Sequence, residues 1–177
     1  MADRVVETTS QEVPALPEAL EEVLLAALDE AKKTMGEGKE VVPFTMLMVK
    51  DAFFIEEHPG NNPDECYNLA RHTVQGARGA DAYALCYDGY VDIDDGQTDA
   101  LIAEGGVPGD VKGYAVGYLY EQKKDGTVEF EKEPVYIGEA PNFMLLLKPA
   151  SDYAEDEVPE EYRDADAAEE DAEDAAE

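Results

Sequence analysis

The chain has 177 residues and a formal net charge of -30, from 43 acidic side chains against 13 basic ones. Between Asp152 and Glu177 there are 14 acids against the single base Arg163, and the residues before them still hold 29 acids against 12 bases. Acidity on this scale belongs to the folded surface as well as to a tail, so it argues against nucleic acid and anionic membranes as partners.

Length and composition predict three segments: a flexible leader over 1–14, a single α+β domain over 15–150, and an acidic disordered tail over 151–177. A domain of about 150 residues buries roughly two thirds of its unfolded surface, whereas two smaller domains would each be marginal. The leader contains Asp3, Arg4, Glu7 and Glu12 and no apolar run of signal-peptide length, and Val23 to Leu28 is far too short to span a bilayer. The expected location is the cytoplasm. There Cys66 and Cys86 are expected to be reduced structural thiols, and no Cys-x-x-Cys spacing suggests a redox or zinc site.

In chain order, the first predicted element is a helix from about Pro17 to Met35. Leu20, Val23, Leu24, Ala27, Leu28, Ala31 and Met35 form one apolar stripe, acids open the helix, and Lys32 and Lys33 close it before Gly36. Val41 to Val49 reads as a central strand, apolar on both faces, and Lys50 and Asp51 turn the chain into a second strand from Phe53 to Glu57. Asn62 as N-cap and Pro63 at the first helical position predict a second helix to about Arg78, buried through Leu69, Ala70, Thr73, Val74 and Ala77.

Ala82 to Ile93 alternates cleanly, with Tyr83, Leu85, Tyr87 and Val91 on one face and Ala82, Ala84 and Cys86 on the other. Ala100 to Glu104 reads as a short helical piece, Gly113 to Glu121 and Val128 to Glu131 as strands, and Asn142 to Lys148 as a last strand. The expected fold is α+β: a mixed or antiparallel sheet of about five to six strands with two main helices on one face. The element order is α-β-β-α-β-(short α)-β-β-β.

Chemical motifs are sparse. Only Ser10 and Ser151 are serines, both outside the predicted domain core, which argues against a serine hydrolase. Gly36, Gly38 and Lys39 follow a helix where a phosphate loop would precede one, and Glu40 stands where that loop needs a hydroxyl. A metal-dependent enzyme would have to use the acidic loop of Asp92, Asp94, Asp95 and Asp99, whose spacing does not match a calcium-binding loop. The composition implies no cofactor, and the balance is toward a noncatalytic protein.

Two binding surfaces are expected. Tyr83, Tyr87, Tyr114, Tyr118 and Tyr120 are read as one tyrosine face, opposite the small residues, and without a covering helix it would serve a homo-oligomer or protein partner. Arg71, His72 and Arg78 are read as a cationic patch for an anion, an acidic partner or the chain's own tail. The leading functional expectation is a self-associating acidic interaction domain. The second is an acidic inhibitor, immunity-type protein or chaperone that presents carboxylates to a basic partner.

Overall fold

The computed structural model describes residues 5–7, 14–93 and 96–163. In chain order the elements are β1 (Val5–Glu7), α1 (Glu18–Gly36), β2 (Phe44–Val49), β3 (Ala52–Glu57), α2 (Pro63–Gln75), β4 (Ala82–Ile93), β5 (Gly96–Gly106), β6 (Gly113–Gln122), β7 (Val128–Phe130), β8 (Val135–Ala140) and α3 (Glu160–Arg163). The class is α+β, and the strands form one eight-stranded sheet with the path β3-β2-β4-β5-β6-β7. Along β4, β2 pairs antiparallel with Ala82 to Cys86, and β1 pairs parallel with Tyr90 to Asp92. β6 likewise takes β8 along its first half and β7 along its second.

The sheet is buried on both sides, because the two main helices lie on opposite faces and not on one. β4 shows why. Its even positions, Ala82, Ala84 and Cys86, share a cluster with Leu20, Val23, Leu24, Ala27, Leu28 and Ala31 of α1 and with Leu101 and Ala103 of β5. Small strand residues let the helix approach closely, and truncating a buried leucine such as Leu24 or Leu28 typically costs about 2–5 kcal/mol. Its odd positions, Tyr83, Leu85 and Tyr87, share the other cluster with Ala70 and Val74 of α2. α2 begins as its sequence implies, with the Asn62 side chain accepting from the Glu65 N–H at 2.9 Å and Pro63 at the first helical position. Its buried residues are Cys66, Ala70 and Val74, whereas Leu69 is exposed.

Two element assignments change. Ala100 to Glu104 is part of the long strand β5 and not a helix. Because helices cover both sheet faces, its residues are apolar in succession, and such a run does not distinguish a strand from a short helix. Asn142 to Lys148 is a turn and not a strand, since β8 already occupies the β6 edge. Asn142 holds this turn, its amide donating to the Val107 and Asp110 carbonyls at 2.8 Å while its oxygen accepts from the Met144 N–H. Tyr83 pins it from below. The Tyr83 ring stacks on Phe143 at 5.5 Å, and its hydroxyl accepts from the Phe143 N–H.

The boundary at 151 also shifts, because residues 151–163 pack on the domain. After the short turns Ala150–Asp152 and Glu155–Glu157, α3 inserts Tyr162 edge-on to Phe54 at 5.2 Å. Arg78 donates to the Glu157 carbonyl at 2.7 Å, and Arg163 donates to the Val158 carbonyl. Val158 rests on Gly79, whose φ of +97° and close approach leave no room for a side chain. The acidic residues 164–177 of the predicted tail lie outside the described residues.

This strap should therefore contribute to stability. We expect Tyr162→Ala and Gly79→Ala each to lower the urea-unfolding free energy, Tyr162→Ala by roughly 2 kcal/mol or more. Changes within about 0.5 kcal/mol, the range of a neutral surface substitution, would mean that the strap does not dock in solution.

Candidate functional site

The expected tyrosine face does not form. Tyr83 and Tyr87 are buried on the α2 side, whereas Tyr118 belongs to the α1-side core with Tyr114 packed against it. Register causes the split: Leu101 pairs with Asp88 on β4 and with Tyr118 on β6, so Tyr118 shares a face with the even residues of β4. Lys32 of α1 covers Tyr118, its ammonium 4.1 Å from the ring centroid. The Tyr120 hydroxyl donates to the Asp88 carboxylate at 2.6 Å, and its ring packs against Phe130. Burial and the neighbouring Asp99 raise the Asp88 carboxyl above its usual range, against the Tyr120 hydrogen bond that lowers it.

The other expected sites are also dispersed. Arg71 donates to Asn68, Arg78 lies beyond the end of α2 and holds the strap, and exposed His72 lines a cleft, so these groups do not make one open cationic patch. Arg78 meets a residue of the predicted tail segment through the Glu157 backbone carbonyl and not through a carboxylate. Asp92 pairs with Gln97 and Asp99 with Tyr90, while Asp94 and Asp95 lie outside the described residues. Among the described residues, no three His, Cys, Asp or Glu side chains are grouped to hold a metal ion. Cys66 and Cys86 are buried free thiols on opposite sides of the sheet, and desolvation pushes the Cys86 thiol far up, which leaves it unreactive. Glu104 is buried beneath the α2 side and accepts from the Tyr87 hydroxyl at 2.8 Å.

The feature that sequence reasoning missed is the outer edge of the sheet. β3 ends the strand path, and its ladder has a definite phase. The His58 N–H donates to the Pro43 carbonyl, and the Met48 carbonyl points the other way, accepting from Asp81. With Met48 opposite Phe53 and Phe54 opposite Leu47, the backbone groups of Ala52, Phe54 and Glu56 turn toward β2. Those of Phe53, Ile55 and Glu57 turn outward. The side chains of Phe53 and Ile55 are 41% and 51% exposed, on the α1 side beside Met48 and Met46.

On the opposite side of β3 lies a cleft of about 420 Å³, lined by Thr45, Phe54, Glu56, His72, Thr73 and Tyr162 among others. Glu56 accepts from the Thr73 hydroxyl at 2.9 Å, which ties the edge strand to α2. The Tyr162 hydroxyl is pushed up to about 12 by burial and by the nearby carboxylates of Glu161 and Glu56. At the end of β3, His58 is buried and shares a hydrogen bond of 2.9 Å with buried Thr45. A second apolar surface adjoins the Asn142 turn, where Val111, Leu145 and Leu146 are exposed. No protein-family model matches the chain, and no curated protein or solved structure gives a significant match. Among the described residues no helix is long and apolar enough to cross a membrane.

Desolvation depresses the His58 pKa below its ordinary value of 6.5, with Glu56 partly opposing. The native state therefore refuses a proton that the unfolded chain accepts, so this site costs nothing above that value and destabilises the fold as the pH falls below it. The slope cannot exceed ~1.4 kcal/mol per pH unit for one proton. Asp88 works in the opposite sense, because its raised folded value favours the acid form as the pH falls. We expect urea denaturation to show a loss of stability from pH 7.5 to 5.5 that shrinks in His58→Gln. An equal loss in both proteins would remove His58 as the source.

Proposed function

We propose that the chain is a noncatalytic protein-interaction domain whose partner is basic, in the manner of an acidic inhibitor or chaperone. The observation that carries this reading is the apolar edge strand β3, exposed through Phe53 and Ile55 and ending in Glu56 and Glu57, on a body of strongly negative charge. Like-signed charge distributed over a surface attracts opposite charge from a distance and repels nucleic acid, while a local apolar patch supplies contact energy once the partner arrives. Self-association has lost the surface that suggested it. Tyr83 and Tyr87 are core residues, and Tyr118 lies beneath a lysine.

Two physical components of binding follow, and they respond to different perturbations. The long-range component weakens as salt shortens the Debye length from ~10 Å at 0.1 M toward ~3 Å at 1 M. The contact component depends on Phe53 and Ile55. We expect affinity capture from native lysate to enrich proteins of high isoelectric point, to release them at high salt, and to lose them when Phe53 and Ile55 are both replaced by Asp. Capture of neutral or acidic proteins that persist at high salt, or unchanged capture by the double variant, would overturn this function.

A further inference from the structure

We infer that β3 is a strand-addition site: its outer edge takes an extended segment that alternates apolar residues with lysine or arginine, and so lengthens the sheet by one strand. This inference rests on the basic-partner reading and deepens it by naming the surface and the conformation of the ligand.

The geometry of β3 sets both properties. Phe53, Ile55 and Glu57 turn their backbone N–H and C=O groups away from β2, which makes a regular row of donors and acceptors that only another extended backbone can meet in full. Phe53 and Ile55 stand on one face of the same edge, spaced by two residues, so an added strand would meet them with its alternate side chains. The opposite face of β3 is already engaged, since Phe54 packs on Tyr162 and Glu56 accepts from Thr73. The apolar positions of the ligand therefore belong on the α1 side, beside Phe53 and Ile55.

Charge selects among the occupants. On the α2 side of β3, Glu56 and Glu161 line the cleft, so the cationic residues of the ligand, alternating with apolar ones that stand beside Phe53 and Ile55, would meet carboxylates. A second copy of the chain would bring a further charge of -30 and place the same carboxylates near one another. The chain's own sequence after Arg163 is Asp, Glu and Ala, which suffers the same repulsion. Glu56 and Glu57 at the end of an open edge also act against pairing between identical chains, a common role for charged residues on edge strands.

The test uses the full chain and a peptide of sequence Lys-Val-Lys-Val-Lys-Val-Lys, with an all-lysine peptide of equal length as the control for charge alone. Amide correlation spectra should show the alternating peptide shifting Phe53, Ile55 and Glu57 together. It should bind at least roughly tenfold more tightly than the all-lysine peptide, and N-methylation of its β3-facing amides should abolish that advantage. Ile55→Pro removes an outward N–H that β2 does not use, and it should weaken binding of the alternating peptide by a similar factor. The N-methylated peptide repeats this test on the unaltered chain.

Equal binding of the two peptides, with shifts scattered over the acidic surface, would overturn strand addition while leaving a basic partner in place. No binding of either peptide would overturn both readings. Sedimentation equilibrium that shows a dimer, lost in Ile55→Pro, would assign the edge to a second copy and overturn the basic ligand.

Discussion

The structure depends on the alternation of small and large residues along β4. Ala82, Ala84 and Cys86 present a thin surface to α1, while Tyr83, Leu85 and Tyr87 present a thick one to α2 and the Asn142 turn. A helix packs closely on alanines because little side-chain volume separates it from the sheet, and its leucines then fill the gaps between strands. Aromatic residues on the reverse side reach further, and there the cover is assembled from α2, the turn and α3. Tyr83 serves twice in this scheme, as core volume and as the hydrogen-bonding anchor of the turn.

Covering the centre of a wide sheet from both sides leaves its edges to be managed separately. At β4 and β6 each free edge is shared by two shorter strands, so few backbone groups are left unpaired. At β3 the management is partial. Its α2 side is tied down by Tyr162 and by the Glu56–Thr73 hydrogen bond, whereas its outer edge has no neighbouring strand among the described residues. The two glutamates at its end restrain pairing between identical chains, and on a protein of this charge the same residues favour a basic neighbour.

Much of the fold was legible in the sequence, and the failures have definite causes. The apolar stripe of α1, the Asn62-Pro63 start of α2 and the two-residue period of β4 are local signals, and each element appears where its signal lies. Which face of β6 matches which face of β4 is not local, because it depends on the register of the intervening β5. A shift of one residue there would have put Tyr118 with Tyr87, and the expected tyrosine face depended on that choice. β5 itself was hidden by its burial on both sides. The strap was hidden by composition: Tyr153, Val158 and Tyr162 are sparse among carboxylates, yet two of them find apolar partners. The β3 edge could have been suspected from Phe53, Phe54 and Ile55 in succession, since apolar residues on both faces of a strand ending in two glutamates imply unequal cover.

The claim on which both the architecture and the proposed function depend is that β3 is bonded on one side and open on the other. Native-state amide hydrogen exchange reads this directly, residue by residue. The amides of Phe54 and Glu56, turned toward β2, should exchange slowly, and those of Phe53, Ile55 and Glu57 should exchange much faster within the same folded protein. Uniform slow exchange along residues 53–57 would show that something already covers the edge, and would contradict an open β3.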